Sequence, residues 1–215
     1  MQRGRLIVLE GGEGAGKSSN LHSLQQMLEA RGLSVIRTRE PGGTPLGEAL
    51  RFVLLDPIYA GMELKAELLL MFAMRAQHVA QVIRPALEAG TWVISDRFTS
   101  SSYAYQGGGR GLDKASIAWL ETFVQDDLRP DLTLLFDTPV DVGLARMRSR
   151  GEPEDRIEHE GRPFFERVRE SFLAQAAAAA DRFVVLDAAK PQDAVQAQML
   201  AEVEHFFAAL WTGQA

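Results

Sequence analysis

Residues Gly11 to Ser18 read Gly-Gly-Glu-Gly-Ala-Gly-Lys-Ser, a full match to the spacing GxxxxGK(S/T). That pattern suits the binding of a triphosphate. Glycines let a loop take positive φ and bring backbone N–H groups against phosphate oxygens, while a following helix N-terminus adds partial positive charge. Lys17 is placed to reach the β- and γ-phosphates, and the Ser18 hydroxyl to hold Mg²⁺. The apolar run Leu6-Ile7-Val8-Leu9 predicts a short buried strand before the loop, and an amphipathic helix is expected from about Gly16 to Arg31. Strand before and helix after is the context that separates this motif from a chance Gly-rich turn. The expectation is a nucleoside triphosphate site over Gly11, Gly12, Glu13, Gly14, Ala15, Gly16, Lys17 and Ser18.

Other stretches carry residues able to do chemistry. Asp96-Arg97 ends an apolar run; an aspartate there can hold Mg²⁺ or its waters, and an arginine can grip a second anionic group. Thr38-Arg39-Glu40-Pro41-Gly42-Gly43-Thr44 reads as a tight polar turn, and Leu68 to Arg75 as an apolar helix carrying one arginine. Ser100 to Gly111 is polar and Gly-rich, too much so for a core segment; its aromatic and amide groups suit a flat heterocycle and a sugar. Between Arg146 and Arg162 five arginines stand among acids, Gly151 and Pro153. In a phosphate-binding chain such a segment is expected to be a mobile lid that excludes water from the triphosphate.

The elements that must position these groups alternate. Apolar runs at about 33–38, 91–95, 132–136 and 183–186 predict further strands. Helical patterns cover about Pro45–Leu55, Met62–Glu88 with room for a break, Asp113–Asp127, Val140–Arg150, Phe164–Ala180 and Gln192–Trp211. Strands that are continuous apolar runs separated by helices imply a parallel sheet covered on both faces. Ligands of such sheets sit at the carboxyl ends of the strands, which here carry Glu10, Arg39-Glu40, Asp96-Arg97 and Asp137.

Composition narrows the class. The chain has 215 residues, 46% of them hydrophobic, and a formal charge of −6. No linker or repeat divides it, so one domain over 1–215 is expected. The acidic balance argues against a general nucleic-acid binder. With no cysteine, disulfides, thiolate metal sites and Cys nucleophiles are excluded, in keeping with a reducing compartment. No apolar run reaches the roughly 20 residues that span a membrane. Met1 leads straight into a core strand, leaving no room for a leader, and the expected location is the cytoplasm.

Taken together, GGEGAGKS, TREPGGT, DRF, YAYQGGGRG and RPDLTLLFD resemble bacterial thymidylate kinase in order and approximate spacing, from about Arg5 to Trp211. The resemblance implies a P-loop NTPase fold, a three-layer α/β/α sandwich on a five-stranded parallel sheet. It also implies a homodimer and a Mg²⁺-dependent transfer of the ATP γ-phosphoryl group to dTMP, giving dTDP on the way to dTTP. It implies that Lys17, Arg97 and Glu13 serve catalysis, with Glu13 near the acceptor sugar and metal, and that Ser18 and Asp96 hold Mg²⁺. Arg97 and Arg51 would grip the dTMP phosphate, beside the turn that carries Glu40. Arg75, Ser102 and Gln106 would read the thymine edge, and Tyr105 would pack where a ribose 2′-hydroxyl would clash.

Two features depart from the family pattern. The aromatic residue common four positions before the base-reading arginine is here Met71, with Phe72 next; Phe72 is expected to face the base, because stacking on a base is worth about 1–3 kcal/mol. The P-loop lacks the basic residue that some relatives carry, which leaves the transition-state charge to the lid. Arg150 is the first choice, with Arg148 and Arg156 next on the ATP side. Competing readings are a P-loop kinase for another acceptor (dUMP, dGMP or a deoxynucleoside) and a P-loop switch protein. The second should carry a guanine-reading Asn/Thr-Lys-x-Asp motif, which this chain lacks.

Overall fold

The computed structural model describes residues 3–151 and 153–212, with side chains through 210. Met1 and Glu152, which the leader and lid expectations touch, lie outside the described residues. Five strands, β1 (Leu6–Gly11), β2 (Val35–Arg39), β3 (Trp92–Asp96), β4 (Leu132–Asp137) and β5 (Phe183–Asp187), form one sheet in the order β2-β3-β1-β4-β5. Each strand pairs parallel to its neighbours. The buried apolar runs of β1, β3 and β4 make the centre, while β2 and β5, less buried, form the edges.

The alternation of β1 separates two cores. Ile7 and Leu9 point to one face and meet α1 (Lys17–Glu29) and α9 (Gln192–Thr212) through Leu24, Leu28, Met199 and Val203. Leu6 and Val8 point to the other, under Val79, Ile83, Leu87 and Phe98. This is the period of two that a strand buried on both faces requires. On the second face α8 (Arg162–Ala178) adds Phe165, Val168 and Phe172 beside Leu135. The remaining helices are α2 (Pro45–Leu55), α3 (Leu64–His78), α4 (Arg84–Glu88), α5 (Thr99–Ser102), α6 (Lys114–Gln125) and α7 (Val140–Ser149).

The pattern expected over Met62–Glu88 is helical with a π-helical turn, Val79–Ile83, between α3 and α4. Pro85, just beyond it, cannot donate a backbone hydrogen bond, which favours a local change of winding there. A larger correction concerns Ser100–Gly111. Its polar, Gly-rich composition predicts a place outside the core, yet α5 and a π-helical stretch, Tyr103–Gly109, run through it, and Ser101, Ser102, Ala104, Tyr105, Gln106, Gly107 and Gly109 are buried. Here glycine serves close packing. A Cβ on Gly109 would lie 2.4 Å from the Phe164 ring, and one on Gly108 would lie 2.7 Å from Ser171 Cβ.

The register levels the strand ends. Leu9 stands opposite Asp96, Asp96 opposite Arg39, and Gly11 opposite Phe136. Chain order reverses at β1, between β3 and β4, which is where open parallel sheets bind ligands.

Candidate active site

The loop after β1 is built for an anion. Gly14 and Gly16 have φ of 66° and 85°, and a Cβ on Gly14 would meet the Gly143 carbonyl at 2.1 Å. Gly16 heads α1 without a capping side chain, which leaves the first N–H groups of the helix for a ligand. Lys17 Nζ donates to the carbonyls of Gly11 and Gly12, both at 3.0 Å. Burial, and after it the charge of Arg97, push the Lys17 pKa down to about 8 despite Asp96, Glu13 and Glu10. A buried ammonium whose charge burial makes costly suits an incoming phosphate.

Arg97 links this loop to the rest of the site. Its own φ is 68°, a strained left-handed position for a non-glycine residue, of the sort that clusters at functional sites. The guanidinium donates to the Gly11 carbonyl at 2.8 Å and to Glu13 Oε1 at 2.7 Å, and lies 4.9 Å from the Tyr105 ring centre. Tyr105 donates its hydroxyl to the same Glu13 oxygen at 2.7 Å. Burial raises the Glu13 pKa, but Arg97 and Lys17 outweigh it, and with Arg150 among the further causes Glu13 is held below the usual range.

The turn carrying Arg97 rests on Glu10. This fully buried carboxylate accepts from Phe98 N (2.9 Å), Ser101 N (3.2 Å) and Ser101 Oγ (2.7 Å). Burial pushes its pKa up to about 7, against the opposing pull of Arg97.

A cavity of about 580 Å³ runs from the loop across the strand ends, lined among others by Lys17, Arg51, Met71, Arg97, Gln106 and Arg150. Its size is that of a small-molecule site. Arg39, Arg51 and Arg97 all line it. Burial and then the neighbouring Arg39 push the Arg51 pKa down, and Arg97 adds to the push. Converging guanidiniums of this kind mark an anion position distinct from the P-loop.

Of the residues expected at the base, Gln106 lines the cavity, as does Tyr105, expected at the sugar. Phe72 does not, and Met71 does: the expectation that Phe72 faces the base is corrected by the register of α3. Positions 67, 71, 74 and 78 share one helical stripe, and 68, 72 and 75 the adjacent one. On the first, Met71 and Met74 meet Leu54; on the second, Leu68 and Phe72 meet Ile117 of α6. Phe72 instead lies under the Arg75 guanidinium, 4.6 Å from ring centre to Cζ.

Arg75, fully buried, and Ser102 stand behind the cavity wall rather than in it. Arg75 donates to Glu40 Oε2 (2.7 Å), Ser102 Oγ (3.0 Å) and the Phe98 carbonyl (3.2 Å). Glu40, a lining residue, also contacts His78 Nδ1 at 2.9 Å. The sequence points to Arg75, Ser102 and Glu40, but not to His78 or to the network that joins them.

The arginines at 146–162 divide. Arg150 lines the cavity with its guanidinium 2.7 Å from Glu158. Arg148 is exposed and outside the lining. Arg156, expected at ATP, is turned away: it is buried, donates to the Leu54 carbonyl at 2.7 Å and pairs with Glu67 at 2.7 Å. Its desolvated charge is matched there by a buried carboxylate. Lining residues that the motifs did not single out include Asp155, Lys190 and Gln192; they come from separate segments and share no local pattern.

Oxygen ligands suited to Mg²⁺ are present. Ser18 Oγ donates to Asp96 Oδ2 at 3.3 Å, and the buried Asp96 Oδ1 has no protein partner. Among the described residues no group of three or more His, Cys, Asp or Glu could hold a metal. Mg²⁺ itself is commonly held by one or two protein ligands, with phosphates and water completing the shell, so this pair fits it. Among the described residues no helix is long and apolar enough to cross a membrane.

A family model described as thymidylate kinase matches residues 9–199. A thymidylate kinase of Pseudomonas fluorescens is 62% identical over 193 residues, covering 90% of this chain and 91% of that protein. One of Chromohalobacter salexigens is 56% identical over 204 residues, covering 94% and 96%. The crystal structure of thymidylate kinase from Ehrlichia chaffeensis superposes with a TM-score of 0.75 at 32% identity, covering 94% of this chain and 99% of that one. The chain belongs to the thymidylate kinase family.

Proposed function

We propose that this enzyme transfers the γ-phosphoryl group of ATP to dTMP, releasing ADP and dTDP. The observation that carries the reading is one cavity that joins the P-loop to a cluster of arginines and to the Gln106 amide. In the reaction a dTMP phosphate oxygen attacks the γ-phosphorus. That P–O bond forms as the bond from the γ-phosphorus to the β-phosphate oxygen breaks, and ADP keeps the bonding pair. Such a transfer needs positioning and charge neutralisation more than covalent chemistry.

The P-loop amides and Lys17 hold the donor phosphates. Arg51 and Arg97, with Arg39, hold the acceptor phosphate, and Glu13 keeps Arg97 aimed. Tyr105 stacks beside Arg97 and packs against the deoxyribose. Gln106 and Met71 meet the base, while Arg75, Ser102 and Glu40 fix the wall behind it. Arg150 neutralises charge on the transferred phosphoryl group. Ser18 and Asp96 would hold Mg²⁺, which supplies charge neutralisation across the donor phosphates when bound. The 146–162 segment acts as a lid that shuts water out of the site, within a single domain.

A homodimer is part of this reading. Phe52, Leu69, Trp119 and Phe123 are exposed on α2, α3 and α6, helices that pack α2 on α3 and α3 on α6, and the Trp119 and Phe123 rings stack at 5.2 Å. Exposed apolar groups of this size favour a protein contact. The cysteine-free composition fits the cytoplasm as the place of the reaction. The test of the activity is ADP release with ATP–Mg²⁺ and a panel of acceptors.

A further inference from the structure

Glu67 is buried beneath the base end of the cavity, where it has no part in the transfer. Its Oε1 accepts from Gln106 Nε2 at 2.9 Å and from Arg110 Nε at 3.2 Å. Its Oε2 lies 3.1 Å from Arg110 Nη2 and 2.7 Å from Arg156 Nη2. Arg110 turns its other arm to Glu160, and the Arg156 backbone N–H donates to the Leu55 carbonyl at 2.8 Å. Burial raises the Glu67 pKa, but the hydrogen bond from Gln106 and the charges of Arg110 and Arg156 outweigh it, so the group is ionised at neutral pH.

An ionised carboxylate can only accept hydrogen bonds. The Gln106 amide therefore has to turn its nitrogen to Glu67 and its oxygen away. That oxygen, Oε1, is buried without a protein partner, on a residue that lines the cavity. A buried acceptor left unpaired is costly, and a ligand N–H relieves the cost. We infer that Glu67 is a positioning residue that locks Gln106 as a pure acceptor toward the base, and so selects pyrimidines with a protonated N3. Thymine and uracil carry that N–H; cytosine presents a bare N3 acceptor there, which would face Oε1 lone pair to lone pair. The inference rests on the proposed seating of the base against Gln106.

The test is the dissociation constant of dTMP, dUMP and dCMP by titration calorimetry, for wild type, Glu67→Gln and Gln106→Leu. A glutamine at 67 can donate as well as accept, which frees the Gln106 amide to turn over. In Glu67→Gln the preference for dTMP over dCMP should fall by about tenfold or more, the scale of a hydrogen bond exchanged for an unpaired group, and dUMP should weaken alongside dTMP. Arg156→Gln, which keeps the carboxylate, should shift all three ligands by the same factor. Should Glu67→Gln fail to fold with Arg110 and Arg156 uncompensated, Glu67→Gln/Arg156→Gln restores the charge balance and should show the same loss of preference. An unchanged preference in the Glu67 variants, with the preference lost in Gln106→Leu, overturns the role of Glu67. An unchanged preference in Gln106→Leu overturns the seating of the base itself.

Discussion

The donor and acceptor ends of the cavity are made in different ways. At the donor end of the proposed site eight consecutive residues would do nearly everything: backbone N–H groups, the start of α1 and Lys17 would hold the phosphates, and glycine φ values shape the loop. At the acceptor end side chains from the turn after β2, from α2, from α3 and from the 97–109 segment converge, and several polar ones are held by a second residue. Arg97 depends on Glu13, Gln106 on Glu67, Arg75 on Glu40. A backbone cradle needs only the right local conformation. A side-chain wall needs long-range partners, and its specificity is open to change wherever one partner changes.

The largest expected effect belongs to a cavity-lining arginine outside both clusters, Arg150. Arg150→Ala should lower kcat by about 10³-fold or more, the scale of an arginine that stabilises transferring phosphate, while the KM for dTMP shifts only a few-fold. Steady-state kinetics decide this. A rise in KM at constant kcat would make Arg150 a binding residue and move the transition-state role elsewhere.

A smaller effect separates the two stripes of α3. Met71→Ala removes apolar contact from the cavity wall and should raise the KM for dTMP by about tenfold. Phe72→Leu acts in the core and should lower unfolding free energy by about 1–3 kcal/mol, with a smaller change in KM. If Phe72→Leu moved KM more than Met71→Ala, the base would lie against the second stripe after all.

A further effect is a pH dependence at the turn that carries Arg97. The Glu10 pKa is raised in the folded enzyme, from 4.5 to about 7. Between those values the native state binds more protons than the unfolded one, so the contribution is full below about pH 4.5 and is lost as pH rises through about 7. Glu10→Gln lacks this titration. Chemical denaturation of the nucleotide-free enzyme from pH 5 to 8 should show the wild type losing stability relative to Glu10→Gln, by at most about 3 kcal/mol. Parallel pH profiles would show that Glu10 is ionised across the range.

How much of this was legible in the sequence follows from the same contrast. The strand–loop–helix at Leu6 to Glu29, the parallel sheet and helix α2 could be read directly, because local periodicity and glycine placement determine them. Individual acceptor-side residues could be named through the family resemblance, but their arrangement could not. The choice between Met71 and Phe72 turns on a helix rotation of about 100° per residue, set by contacts with Leu54 and Ile117 far along the chain. Arg156 looked like a phosphate ligand because its partner Glu67 is remote in sequence. The 100–111 segment reads as too polar and Gly-rich for the core, whereas its Gly108 and Gly109 admit α8 side chains at close range.

The measurement that tests the central claim most directly is ADP release, coupled to an optical readout, with ATP–Mg²⁺ and dTMP, dUMP, UMP, dGMP, dCMP, AMP or thymidine as acceptor. The predicted result is turnover that depends on acceptor and is strongest for dTMP, with dCMP and the purine nucleotides far behind. Equal or better turnover with a purine nucleotide, or ADP release that ignores the acceptor, would contradict a cavity that seats ATP at the P-loop and thymine against Gln106.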